Sequence, residues 1–516
     1  MARHTMPRPG ADVHPPQSGA PVQPLQVRHD APMTAAESSG LDFPITAEGR
    51  RSTTRVGRAV VADALRAVDP AGARAAEQET NWRTGYLAHY RRLVESGLTT
   101  PEAAVRIADD GLASLHDRMC VVGPEGDLPL AAWPGGRTRL SSVVVEGRSA
   151  PETAFTLPYR GQRLAGDTLR RQLDDWVVRG IVEPTVRDAV VVVLEQPELM
   201  RLDGHCVVVL GAGAEMGPLR ALLRWGATVA AVDLPRPAVW QRVLENTSAG
   251  RLVLPSTRPA DRPDPELLGV DLVADVPALA DWVASLDGRL VLGNYVYADG
   301  AANVRVSMAV DELSSRVLER RADTALAFLA TPTDVFAVPG DAVQQSVTAY
   351  EGRSSSAKLL GRPLRAVSGG RLLRRAYVPG SDPGLIDSLV PQQGPNYALA
   401  KRLQRWRATS ARQAGATVSM NVAPPTRTRS VVKNRALAAA YAGAHRFGVE
   451  VFEPATANVL MAALLVHDLH TDGGPRHDQP WQDEAYGAAH GGLWRAAYAP
   501  RSALGLAAVL GYGSAR

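Results

Sequence analysis

Cys206-Val207-Val208-Val209-Leu210, then Gly211-Ala212-Gly213-Ala214-Glu215-Met216-Gly217 and Pro218, running on to Val232 and Asp233, is the stretch that decides the fold. The first five residues form a short apolar run suited to a parallel strand buried on both faces. A glycine turn follows at once. Pro218 then opens a helix with Leu219, Leu222 and Leu223 on one face, and Gly226 closes it. Thr228 to Val232 reads as a second strand ending in an acid, Asp233. This order predicts bare backbone N–H groups at a helix start, where a pyrophosphate can sit. The acid falls where a ribose 2′-hydroxyl would be held.

The turn reads GxGxxxG rather than GxGxxG, with Met216 where the third glycine usually falls. A buried βαβ unit with no ligand has the same local pattern. An S-adenosylmethionine-dependent methyltransferase also uses a strand, a glycine-rich loop and an acid ending the second strand.

Outward from this unit, strands and helices alternate, the signature of a doubly wound, Rossmann-like parallel α/β sheet. Leu272-Val273-Ala274-Asp275-Val276 reads as a strand, followed by a helix through Leu279, Trp282 and Leu286. Leu290 to Asn294 is the next strand, a long helix covers about Ser307 to Arg321, and Ala325 to Ala330 is a strand ending at Thr331 and Thr333. Residues 341–392, with Ser354-Ser355-Ser356, Gly369-Gly370 and many arginines, break the rhythm and read as an insertion, a candidate lid. The pattern resumes with a helix from Tyr397, a strand at Val418 to Val422 and a helix from Pro454 to Val466. The expected divisions are a disordered tail (1–45), a mainly helical N-terminal domain (46–202), the Rossmann-like domain (203–470) and a C-terminal extension (471–516). In the N-terminal part Tyr86, Tyr90, Leu93 and Val94 share a helical face, Thr99-Thr100-Pro101-Glu102 marks a helix start, and Val143 to Val145 is a short strand.

Composition narrows the function classes. The chain has 516 residues, 45% hydrophobic and 21% charged, enough for a sizeable core. A net charge of +4 is too small to argue for nucleic acid. No apolar run approaches a membrane span. Two cysteines, Cys120 and Cys206, make no disulfide framework, which fits a reducing cytoplasm. The first 45 residues lack the apolar core of a signal peptide. His467, His470, His477 and His490 match no metal-binding spacing, and HExxH, Walker-loop and GxSxG motifs are missing from the sequence.

A second constellation carries chemistry. Tyr397 and Lys401 are four apart on a helix whose apolar face is Leu399, Leu403 and Trp406. The chain has only three lysines, Lys358, Lys401 and Lys433, and uses arginine elsewhere. An ammonium near a phenol is expected to lower the phenol's pKa, so that it can pass a proton to or from a carbonyl or alcohol oxygen.

Together these pieces resemble the short-chain dehydrogenase/reductase family over about residues 204–470. Gly211, Gly213 and Gly217 match part of its TGxxxGxG turn, with Leu210 in the place of threonine and Glu215 in the place of the middle glycine. Asp275-Val276 is similar to the acid–aliphatic pair that lies against the adenine, and Asn294 falls at the family's Asn-Asn-Ala-Gly turn. Tyr397 and Lys401 match YxxxK. The stretch from Asn421 through Pro424 and Thr426 to Thr428 is similar to the segment that meets the nicotinamide.

The resemblance implies an NAD(P)-dependent oxidoreductase acting on an alcohol/carbonyl small molecule. Tyr397 would be the acid/base and Lys401 its ribose-holding partner. The family serine is missing from its usual place, so Thr331, Thr333 or Ser381 stands as its replacement. Asp233 favours NAD, and Arg236 keeps NADP open. Relatives usually pair through helices flanking the sheet, so a homo-oligomer is expected from the resemblance. A non-catalytic nucleotide-binding or scaffold protein of the same fold is the alternative.

Overall fold

In the computed structural model the described residues are 40–136 and 138–513. The apolar runs of the sequence build one eight-stranded sheet. Its strands in chain order are β1 (Ser141–Glu146), β2 (His205–Leu210), β3 (Thr228–Val232), β4 (Arg251–Ser256), β5 (Arg289–Asn294), β6 (Ala325–Ala330), β7 (Val418–Val422) and β8 (Gly487–Ala488). Their spatial order is β8-β7-β6-β5-β2-β3-β4-β1, all parallel except β1, which runs antiparallel to β4 at the edge. This is the mostly parallel, Rossmann-like α/β architecture that the alternating pattern predicts. The chain leaves β2 on one side for β3 and β4, then returns on the other side with β5. A crevice opens at such a switch point, beyond the carboxyl ends of the strands.

Successive strand side chains point to opposite faces, so each strand feeds two cores. Cys206, Val208 and Leu210 join one apolar cluster, and Val207 and Val209 the other. Leu290 and Leu292 against Val291, and Leu326 and Phe328 against Ala327, divide the same way.

Twelve helices matter below. They are α1 (Thr53–Arg66), α2 (Pro70–Gln78), α3 (Trp82–Gly97), α4 (Pro101–Arg118), α5 (Leu219–Trp225), α6 (Val276–Ala284), α7 (Ala301–Arg320), α8 (Ser355–Val367), α9 (Gly394–Gln413), α10 (Arg435–Gly443), α11 (Pro454–His470) and α12 (Pro500–Gly511). Helices α1 to α4, α6, α7 and α9 contribute to the first core, and α5 and α11 to the second. The mainly helical N-terminal stretch thus packs on the sheet's flanking helices. Its α4 starts at Thr100, whose hydroxyl accepts from Ala103 N at 3.1 Å. Gly111 lets α4 press onto α9, because a Cβ there would lie 2.5 Å from the Trp406 ring. Beyond the sheet, Gly40–Asp42 is a strand paired with the strand Cys120–Gly123, so residues 40–45 of the expected tail are ordered against the fold, while residues 1–39 lie outside the described residues.

One expected strand is corrected. Residues 272–274 form a turn, with Val273 O accepting from Leu41 N at 2.8 Å. The third strand of the βαβ series is β4, which carries Pro255 near its end. Leu272 and Val276 are buried through packing rather than strand pairing. The segment read as a candidate lid holds the helix Gly340–Glu351, α8, and the strand Gly384–Asp387, which pairs with Val335–Val338. No helix among the described residues is long and apolar enough to cross a membrane.

Candidate functional site

Two groups of residues lie past the carboxyl ends of strands of the sheet. The first is the glycine turn after β2. Gly211 adopts φ 88°, and its backbone passes so close to Tyr295 that a Cβ would be 3.0 Å from that carbonyl oxygen. The turn satisfies itself. Gly211 N and Ala212 N donate to Val232 O at 2.9 and 3.0 Å, Ala214 N to Gly211 O at 3.0 Å, and Gly217 N to Ala214 O at 3.3 Å. Gly213 N donates to Asp233 Oδ2 at 2.7 Å, and Leu234 N to Asp233 Oδ1 at 2.8 Å. The expectation of bare N–H groups is therefore corrected for these positions, because the neighbouring strand end and the acid already accept from them. Glu215 adds a negative charge to the turn. Its carboxylate accepts from Arg429 N at 2.8 Å and pairs with the Arg429 guanidinium at 3.0 Å. This ties the turn to the short helix Arg429–Lys433 that follows β7.

The second group surrounds Tyr397, on the first turns of α9. Thr331, just past the end of β6, favours ionisation of its phenol. Thr331 Oγ1 and Thr333 Oγ1 are 2.8 Å apart, and Gln393 Nε2 donates to Thr333 Oγ1 at 2.8 Å. Gln393 Oε1 is buried with no partner among the described residues. Lys401, one turn on, donates to Leu329 O at 3.3 Å and to Gln404 Oε1 at 3.1 Å. Gln404 Nε2 reaches Asn294 Oδ1 at 3.3 Å, so Asn294, Gln404 and Lys401 form one chain across β5, β6 and α9. The Tyr297 ring stands edge-on to Tyr397 at 6.3 Å. Below them Asp334 is buried between Arg402, at 2.8 Å, and Arg405, at 2.9 Å.

Burial sets the titration of this pair. Desolvation pushes the Tyr397 phenol up to about 12 despite the opposing effect of Thr331. Desolvation also pushes Lys401 down to about 8, against the attraction of Asp334. The expected lowering of the phenol is thus reversed: burial of the phenol dominates, and the ammonium is directed at Leu329 and Gln404.

The remaining sequence-derived positions divide. Pro424 and Thr426 follow β7 and are buried, with Thr426 Oγ1 donating to Pro424 O at 2.9 Å. Asp275 caps α6 by accepting from Ala278 N at 3.1 Å, and Thr138 N lies 3.3 Å from its other oxygen. With Val276 fully buried, this pair sits at a helix start rather than at a strand tip. Ser381 Oγ donates to Val378 O at 2.8 Å. Sequence reasoning missed Gln393, Gln404 and Tyr297. Gln404, three residues after Lys401, has a signal in helical spacing, while the other two have none. A cavity of about 260 Å³ beside α4 and α9, lined by Arg412, His477 and Asp483, shares no residue with either group.

The arrangement sets a phenol and two hydrogen-bonded hydroxyls at the strand ends, and each can give a hydrogen bond to an oxygen placed beside it. No protein-family model matches the chain, and no curated protein matches it. Among solved structures, it is similar to A-type ketoreductases from a modular polyketide synthase, at 17% identity over 52% of this chain and 47% of that one, with a TM-score of 0.29. It is also similar to an A1-type ketoreductase, at 16% identity with the same coverage and TM-score. The chain therefore matches about half the length of each of these structures.

Proposed function

We propose that the chain is an NAD(P)-dependent oxidoreductase acting on an alcohol/carbonyl substrate. The observation that carries this reading is Tyr397 and Lys401 one turn apart on α9, with Lys401 bound to Leu329 O of β6 and the hydrogen-bonded pair Thr331 and Thr333 just past the carboxyl end of that strand. Bound there, a nicotinamide would supply or accept the hydride. Tyr397 hands a proton to, or takes one from, the substrate oxygen, and Thr331 steadies that oxygen with its hydroxyl. Lys401 would hold the nicotinamide ribose. The orphaned Gln393 Oε1 offers an acceptor to a substrate hydroxyl.

The fit to a dinucleotide differs along its length. A carboxylate has about four acceptor sites, so Asp233 keeps room for a ribose hydroxyl beyond its two backbone bonds. The pyrophosphate is opposed by Glu215 and by the occupied N–H groups of the turn. That observation favours a second reading, a nucleotide-binding or scaffold protein without turnover. Titration with NADH, NADPH and S-adenosylmethionine side by side, followed by a panel of ketones and alcohols, separates the readings. Nicotinamide binding and turnover are expected, with Tyr397→Phe abolishing turnover and sparing binding. Undiminished turnover in Tyr397→Phe refutes the role of the phenol, and binding without consumption of cofactor leaves the scaffold.

A further inference from the structure

Helix α8 is turned the wrong way out for a helix of a globular protein. Of its residues with described side-chain burial, only Gly361 is buried, and a Cβ there would lie 3.6 Å from the Leu373 side chain. Leu359, Pro363 and Val367, spaced by four, form an apolar stripe with Leu364 beside it. Leu359 is 71% exposed, Leu364 39% and Val367 91%. Lys358, Arg362 and Arg365 form a second, basic stripe and are exposed too. Single exposed apolar residues are ordinary, but a continuous stripe edged with cations is not.

The surroundings carry the same sign. Residues 352–381 hold seven lysines and arginines and no acid, more positive charge than the +4 of the whole chain. Residues 427–449 and 485–513 also lack acids. These three segments adjoin. Leu373 N donates to Ser502 O at 3.2 Å, Ala499 N donates to Arg374 O at 3.0 Å, and α10 packs against α12. Lys358, Arg362, Arg371 and Arg374 make no ion pair among the described residues.

We propose that α8 and the acid-free segments around it form a docking face for an anionic lipid surface. An apolar stripe with cations along its flank is the pattern of a helix lying in the interfacial plane of a bilayer. The leucines enter the acyl boundary and the bases meet the headgroups. Charge complementarity commits the face to an anionic bilayer rather than a neutral one.

The test is co-sedimentation of the full chain with phosphatidylcholine vesicles, with and without phosphatidylglycerol, at low and high salt. Binding is expected only with phosphatidylglycerol and should weaken as salt rises. The triple variants Leu359→Asn/Leu364→Asn/Val367→Asn and Lys358→Gln/Arg362→Gln/Arg365→Gln should each bind at least about tenfold less. Both sets change exposed side chains, and unchanged melting temperatures will establish intact folding. Equal binding to neutral vesicles, binding that does not weaken as salt rises, or full binding by either variant would overturn the proposal.

Discussion

At Lys401 structure and chemistry pull in opposite directions. Its ammonium is held down to about 8 by desolvation, so below that pH the fold carries a partly buried charge. A lowered lysine pKa means that the unfolded chain binds more protons between about pH 8 and 10.5, and stability rises with pH across that window. Lys401→Met should therefore melt higher than the parent at pH 7, by about 1 to 3 kcal/mol in stability. The advantage should shrink from about pH 8 and vanish above 10.5. The same variant should lose turnover, since Lys401 anchors the Gln404–Asn294 chain. A calorimetric pH series showing no gain at pH 7 would mean that solvent already screens the ammonium.

The glycine turn is the element where local pattern and tertiary use diverge most. Its strand, helix and acid follow the sequence, and Gly226 ends α5 in the left-handed region at φ 91°. Yet Glu215 stands where close approach to a phosphate asks for no side chain, and its carboxylate is spent on Arg429. Like charges brought together cost several kcal/mol, so Glu215→Gly should tighten NADH binding by about tenfold or more in isothermal titration. Arg429→Gln, which removes the guanidinium but keeps the carboxylate and its backbone N–H bond, should not tighten binding comparably. An unchanged affinity in Glu215→Gly would place the pyrophosphate elsewhere. The misread strand at 272–276 has the opposite cause. Apolar residues beside an acid look alike in a strand and in a turn entering a capped helix, and only the neighbours Leu41 and Ala278 tell them apart.

For the whole molecule, the seam between the N-terminal helices and the sheet layer matters most. His116 of α4 lies 2.7 Å from Asp311 and 3.3 Å from Glu312 of α7, and Arg407 of α9 binds Asp311 from the other side. Burial alone would lower the imidazole's pKa, but the two carboxylates override it and raise it to about 9. A raised pKa contributes stability that is fully present below about 6.5 and is lost as pH rises through about 9. His116→Gln should therefore cost about 2 kcal/mol at pH 6 and almost nothing at pH 10, read from denaturant melts. Equal losses at both pH values would assign the residue to packing alone. Because α1, α3 and α4 already cover α9, self-association through that helix face would displace this chain's own residues.

The sequence by itself determined the βαβ unit, the parallel sheet and the Tyr397/Lys401 spacing. Each rests on local periodicity, turn residues and helical geometry, which act over a few neighbours. Tertiary structure alone decided that Val232 and Asp233 occupy the turn's N–H groups, that Arg429 reaches Glu215, and that Lys401 is joined through Gln404 to Asn294. It also decided which apolar run became the third parallel strand. Those outcomes depend on partners far apart in the chain, whose approach is set by packing two cores against one sheet, and no short window of residues encodes it.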